Sequence, residues 1–266
     1  MISYADPQSI HINHAVSRST KEGDFQTHHH LFYEILFIVN GSGVFLIEDS
    51  ACEFSGNTVF LIPPQQYHVL KVPPQRNYER YIINFSPDIL PEALQTAKPV
   101  IRQADENILD LFQKTDAYRE TFQGEPLYWL QRAVITELMA QFCYGKAGQY
   151  VPRAELPPLV QSAIHYIGDN LDRPLDASLI AEALFVSKTY LSHVFAKTMN
   201  ISLMRYVRMK KIYRAREYLK QGNSVTRTAE LLGYDSYHTF LRNYYAEFHI
   251  SPSEDKRLSD AGDEHG

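Results

Sequence analysis

Two stretches of the chain, 174-PLDASLIAEALFVSKTYLSHVF-195 and 224-SVTRTAELLGYDSYHTFLRNYY-245, carry one pattern twice. Each opens with a short capped helix that has a small residue at its centre, Ala181 or Ala229. Each turns after about one more helical turn and starts a second helix on a small polar residue, Ser187 in the first and Asp235 or Ser236 in the second. Each second helix has an apolar i, i+4 pair to bury: Leu191 with Phe195, Phe240 with Tyr244. The alanine lets two helices cross closely, and the polar residue caps a helix that can enter a major groove. The pattern predicts two helix-turn-helix units in tandem and double-stranded DNA as the partner.

Working outward, Leu159–Leu171 reads as an entry helix and Asp176 as the cap of a helix ending near Leu184. Ser187–Met199 is the first expected recognition helix, stopped at Asn200. Ser202–Gln221 is a joining helix of about 20 residues, roughly 30 Å long. Thr226–Leu232 follows with Gly233 as its C-cap, then a second recognition helix over Ser236–Phe248. Successive major grooves on one side of DNA lie about 34 Å apart, so a stiff spacer of this length would present both recognition helices to adjacent grooves from a single chain.

Charge agrees. The whole chain has a formal net charge of −5. Residues 159–258 nevertheless hold 14 Lys and Arg against 10 Asp and Glu, and 188–220 hold nine basic residues with Glu217 as the one acidic residue. Such a stripe suits phosphate neutralisation. The expected base-facing residues are Lys188, Thr189, Ser192 and His193 on the first recognition helix, and Ser236, Tyr237, His238, Thr239 and Arg242 on the second. Lys and Arg can donate to guanine, while Ser, Thr and His discriminate less. Arg208 and Lys211 on the joining helix are expected at phosphates, while Arg205, Lys210, Arg214 and Arg216 would take phosphates or protein carboxylates.

Segment 159–257 resembles the AraC/XylS family of bacterial transcription regulators. The residues that carry the resemblance are Ala181, Leu184, Ser187, Tyr190, Leu191, Phe195, Tyr206, Ala215, Leu219, Ala229, Gly233, Tyr234, Phe240, Tyr244, Phe248, Ser251 and Pro252. The resemblance implies DNA binding through both units and recruitment of RNA polymerase, usually as an activator. The chain departs from the family pattern at Phe185, where the first turn often has Gly, at Asn200 and His249, which replace glycines, and at Lys211, which replaces a frequent Arg. Asn and His are among the residues that best tolerate positive φ.

The first hundred residues read differently. Tyr33–Val39, Val44–Ile47, Thr58–Ile62, Tyr67–Val72 and Tyr78–Phe85 are short, aromatic and β-branched, and are separated by Gly and Pro turns. That spacing predicts a sandwich or small barrel. Ala104–Lys114 and Glu125–Tyr144 read as helices. The stripe Leu127, Leu130, Val134, Leu138, Phe142 on the second either packs on the barrel or forms a dimer seam. The expected layout is α+β and multidomain: a cupin-like β-barrel over 1–98, a helical dimerisation region over 99–150, a linker over 151–158, an all-α, homeodomain-like double helix-turn-helix domain over 159–258, and a disordered tail over 259–266.

Gly23-x4-His28-x-His30-x3-Glu34-x6-Gly41, followed by Gly56-x6-Pro63-x4-His68, resembles the two motifs of the cupin barrel, a common effector domain among such regulators. Two His at i, i+2 and a Glu four further on share one strand face, and a His from a second strand would complete a set suited to Fe, Mn, Ni or Zn. Gln65 stands where that motif usually has Gly. The expected role of His28, His30, Glu34 and His68 is to line an effector pocket, without metal, cofactor or catalysis. A family resemblance together with 18 Tyr and 14 Phe points to a small effector such as a sugar. The competing reading is a metal-dependent cupin enzyme fused to a DNA-binding domain.

Composition excludes several classes. Two cysteines, Cys52 and Cys143, give no disulfide framework or zinc-finger spacing. The start lacks the basic and apolar regions of a signal peptide, and no apolar run approaches the ~20 residues of a membrane helix. A cytoplasmic protein, forming a homodimer through its first half, is expected.

Overall fold

In a computed structural model, residues 10–19, 30–96, 98–145, 153–154 and 156–263 are described. The chain divides into two compact units, Met1–Glu155 and Leu156–Gly266.

Among the described residues, the first unit is two facing sheets, two α-helices and two single-turn 3-10 helices, Pro87–Ile89 and Glu92–Leu94. Strands β1 (Ile10–Ser19), β7 (Arg76–Phe85), β2 (Tyr33–Asn40), β5 (Thr58–Ile62) and β8 (Val100–Gln103) form one sheet in that order, and β6 (His68–Lys71), β3 (Ser42–Ile47), β4 (Ser50–Ser55) and β9 (Arg153–Ala154) form the other. Every pairing is antiparallel. The central strands are apolar on both faces because both faces are covered. One face, with Tyr33, Ile35, Phe37, Val59, Leu61, Ile83 and Phe85, packs against α1 (Glu106–Thr121) and α2 (Gly124–Tyr144) through Ile108, Phe112, Ile135, Leu138 and Met139. The other face, with Leu36, Ile38, Phe60 and Ile62, packs against Phe45, Ile47 and Phe54 of the second sheet.

Several expectations are corrected. β1, β4 and β8 are strands where none was predicted, and β9 lies inside the stretch expected to be linker, pairing Ala154 with Ala51. The region 99–150 is not set apart from the sheets, since β8 belongs to the five-stranded sheet and both helices cover it. Val134, Leu138 and Phe142 of the stripe are buried in that core, so most of it follows the first of its two readings, packing on the sheets.

The second unit is all helix: α3 (Pro158–Asp169), α4 (Ala177–Ala183), α5 (Lys188–Met199), α6 (Leu203–Lys220), α7 (Val225–Leu231), α8 (Tyr237–Phe248) and α9 (Pro252–Asp263). α9 was not predicted, and it runs to Asp263 through most of the expected tail. Capping follows the sequence closely. The side chains of Asp176, Ser187, Ser202, Ser224 and Ser236 each accept from a backbone N–H of the helix they open. Asn200 and His249 close α5 and α8 at φ +56° and +57°. α6 is an unbroken 18-residue helix, about 27 Å long. It is also the spine of the unit: Leu203, Tyr206, Val207, Met209, Ile212, Tyr213, Ala215 and Leu219 are all buried.

Candidate nucleic-acid interface and barrel site

The two helix-turn-helix units have the same backbone. In the first turn Phe185 N–H donates to Glu182 O and Val186 N–H to Ala181 O; in the second, Gly233 N–H donates to Glu230 O and Tyr234 N–H to Ala229 O. This pair of hydrogen bonds closes each short helix with one left-handed residue, Phe185 at φ +56° and Gly233 at φ +65°. Phe185 therefore does what Gly does in the second unit, at the cost of a Cβ in a left-handed conformation, and it leaves its ring 95% exposed.

Each recognition helix is fixed by its apolar side. Leu191, Phe195 and Met199 of α5, and Phe240, Tyr244 and Phe248 of α8, are buried. Burial of that stripe turns the opposite face outward. Lys188, Thr189 and His193 are exposed and Ser192 is half-buried; Ser236, Tyr237, His238 and Arg242 are exposed and Thr239 is half-buried. The Ser236 hydroxyl accepts from Thr239 N–H at 3.3 Å, so it caps α8. Tyr190, 56% exposed, stands on the same first turn as Lys188 and Thr189 and extends the outward face of α5. Sequence analysis did not count it among the base-facing residues, although its place one residue before the buried Leu191 was the available signal.

The basic stripe is less available than its charge suggests. Lys188, Lys197, Arg205, Arg208 and Lys220 are exposed. Arg214 pairs with Glu217 at 2.8 Å, and Arg216 pairs with the buried Asp255 at 2.8 Å, which also accepts from the Tyr244 hydroxyl at 2.5 Å. That α6–α8–α9 network, with Asp255 from the unpredicted helix, anchors the second recognition helix.

Lys211 is a correction. It is 6% exposed and points inward, donating from Nζ to the carbonyls of Arg173 and Leu232 at 2.6 Å each. Arg173 lies just before the first unit and Leu232 in the turn of the second. Lys211 therefore fastens one unit to the other and does not reach phosphate. Burial pushes its ammonium down to about 8, against the pull of Asp172 and Asp235. At the same joint a Cβ on Gly233 would stand 2.5 Å from Pro174 N and 2.6 Å from Arg173 C.

The barrel residues form a second cluster. Glu34 on β2 is opposite Ile62 and Asn84, and His68 at the start of β6 is opposite Ile47. These pairings put Glu34 and His68 on the inner faces of the two sheets. His30 precedes β2, and its carbonyl accepts from Gln65 N–H at 2.8 Å. Gln65 takes φ +68°, so it supplies the left-handed turn for which Gly would be the usual choice. His30 Nε2 is 3.0 Å and His68 Nε2 3.9 Å from Glu34 Oε2. His30 and His68 are buried, and the His30 ring stacks on Phe32 at 3.8 Å. His28 lies outside the described residues. No helix among the described residues is long and apolar enough to cross a membrane.

Known proteins match both units. Residues 180–257 match the model of a helix-turn-helix domain, and residues 15–142 that of an AraC-like ligand binding domain. The regulator YfiF of Bacillus subtilis is 29% identical over 245 residues, spanning 85% of this chain and 76% of that protein. The multiple antibiotic resistance protein MarA of Escherichia coli is 31% identical over 94 residues, 35% of this chain and 74% of that protein. The solved structure of ToxT from Vibrio cholerae is 11% identical, over 93% of this chain and 99% of that one, with a TM-score of 0.39. With a ligand-binding domain followed by a matched pair of helix-turn-helix units, the chain belongs to the AraC/XylS family of DNA-binding transcription regulators.

Proposed function

We propose that the chain is an effector-responsive transcription activator that reads two successive major grooves with α5 and α8. Lys188, Thr189, Ser192 and His193 face the bases of one groove, and Tyr237, His238, Thr239 and Arg242 those of the next. Arg208 neutralises phosphate. Ser236 holds the second recognition helix and meets the backbone at its N-terminus. The observation that carries this reading is the repetition of cap, left-handed turn and outward face at both ends of one continuous helix.

The first unit receives a small organic effector, with a sugar as the favoured class, and His30, Glu34 and His68 supply its polar contacts. The protein works in the cytoplasm as a homodimer, recruits RNA polymerase and performs no catalysis. The exposed Trp129 on the first turns of α2 favours a dimer contact there over one at Leu138.

Operator binding by the purified chain should weaken steeply as salt rises, and Arg242→Ala should cost about 1–3 kcal/mol and relax base preference at one position. Binding that ignores salt, or an Arg242→Ala variant with unchanged affinity and preference, contradicts the assignment.

A further inference from the structure

We propose that His14, Glu79, Tyr81 and Asp116 form a proton-operated latch on the end strand β1 of the first unit, closed while His14 carries both ring protons and opened by the loss of one. The inference is independent of what fills the space between the two sheets.

Three elements meet at the cluster. His14 is cross-strand from Tyr81 in the β1–β7 ladder. Its Nδ1 is 2.7 Å from Asp116 Oδ2 on α1, and its Nε2 is 2.8 Å from Glu79 Oε1 on β7. The Tyr81 hydroxyl donates to the same Asp116 oxygen at 2.7 Å, and the imidazole stacks on the Tyr81 ring with centroids 3.8 Å apart. Proton counting fixes the state of the ring. An ionised carboxylate only accepts, so a nitrogen that faces one at this distance must donate. Both nitrogens of His14 face one, and only the imidazolium has two N–H groups. A neutral ring would donate to one carboxylate and turn a lone pair on the other. Tyr81 makes no demand on that proton: burial, helped by Asp116 and Glu79, pushes its ionisation upward, so its hydroxyl stays a donor.

The surroundings leave the switch to these groups. The side chains of His14, Glu79 and Asp116 are 25%, 31% and 32% exposed, so protons reach them from solvent. Among the described residues no other charged group lies within ion-pair distance of His14. Arg18, on the same face of β1, and Arg119 and Glu120, on the turn of α1 after Asp116, are exposed. Arg80, next to Glu79, alternates to the other face of the sheet. α2, the second helix over this face, carries Glu125, Arg132 and Glu137, with Arg132 bonded to Ile89 O and Glu125 to Trp129. Both His14 bonds exist only in the folded chain and only with the proton in place. Their contribution is therefore present at low pH and lost as pH rises, and at the acid end it stops when the carboxylates protonate. Histidine is the side chain that ordinarily changes charge nearest neutrality. The loss falls on one strand. β1 ends the five-stranded sheet and pairs with β7 alone among the described strands, whereas α1 stays fastened to β7 through Tyr81 and Asp116.

The test is amide hydrogen exchange of the full chain at pH 6 and pH 9, corrected for the intrinsic rates. In wild type, protection of β1 relative to α1 should fall about tenfold at pH 9, the weight of roughly one bond to a charged group. His14→Gln offers one donor and one acceptor, as the neutral ring does, so its β1 should show the lower protection at both values. Glu79→Gln can donate its amide to a neutral Nε2, which completes the bridge without the second ring proton, so its β1 should keep its protection at pH 9. Wild-type β1 that is equally protected at both values overturns the proposal. So does His14→Gln that matches wild type at pH 6, or Glu79→Gln that keeps the wild-type pH dependence. Should a variant fail to fold, nuclear magnetic resonance of the wild-type chain decides. One histidine with contacts to the Tyr81 ring should show two slowly exchanging ring N–H protons at pH 6 and one at pH 9. Fast exchange of both at pH 6, or two that persist at pH 9, overturns the latch.

Discussion

Lys211 sits on the basic helix but serves the interior. Its two carbonyl partners, at Arg173 and Leu232, belong to different helix-turn-helix units, so its ammonium fixes their relative position from within. Replacing it with Met keeps most of the volume and leaves two buried carbonyls unpaired, which should cost the second unit about 1–3 kcal/mol. Its titration adds a pH signature. The folded group releases its proton near 8 and the unfolded one near the usual lysine value of 10.5, so between those values the unfolded chain binds more protons and stability rises with pH. In calorimetry of the full chain, the transition that operator DNA raises should therefore climb relative to that of Lys211→Met as pH goes from 8 to 10. A constant gap between the two would show that the ammonium is not destabilised by burial. Charge counting placed Lys211 with the phosphate contacts because it sums charges without regard to facing. Helical spacing held the contrary signal, since Val207 and Ala215, four residues either side, are both buried. The outward residues of α5 and α8 were legible for the same reason: their apolar stripes repeat at three and four and leave only one other face.

At the scale of elements, the repeated turn sets one sequence position against itself. Phe185 and Gly233 share a left-handed conformation, yet only Gly233 is crowded by backbone. Phe185→Gly should thus leave stability unchanged or raise it by up to about 1 kcal/mol, whereas Gly233→Ala should lower it by more than about 1 kcal/mol. Equal effects in denaturant titrations would mean that the two turns are not equivalent. The caps, the two left-handed helix ends and the length of α6 could be read from sequence because they are local: one side chain satisfies a backbone group two or three residues away. Elements held by distant partners could not. α9 is polar in sequence and acquires its place from Asp255 binding Arg216 and Tyr244. β4 and β9 depend on partners far along the chain, and β4 is a six-residue segment with only Ala51, Cys52 and Phe54 buried. The cluster of His30, Glu34 and His68 was partly legible: motif spacing grouped the three, but His30 precedes β2, so its place rests on the Gln65 N–H bond to its carbonyl, which no alternation rule supplies.

At the scale of the molecule, the chain separates sensing from reading. One unit encloses a polar cluster between two sheets, and the other carries two reading helices on a shared spine. The central claim is that this spine, about 27 Å long, lets a single chain engage two adjacent grooves. Hydroxyl-radical footprinting of the operator with wild type, His193→Ala and Arg242→Ala tests it most directly. The account predicts two protected patches per chain on one side of the duplex, about one helical turn apart, with His193→Ala weakening one and Arg242→Ala the other. A single patch per chain, or one patch sensitive to both substitutions, would contradict it.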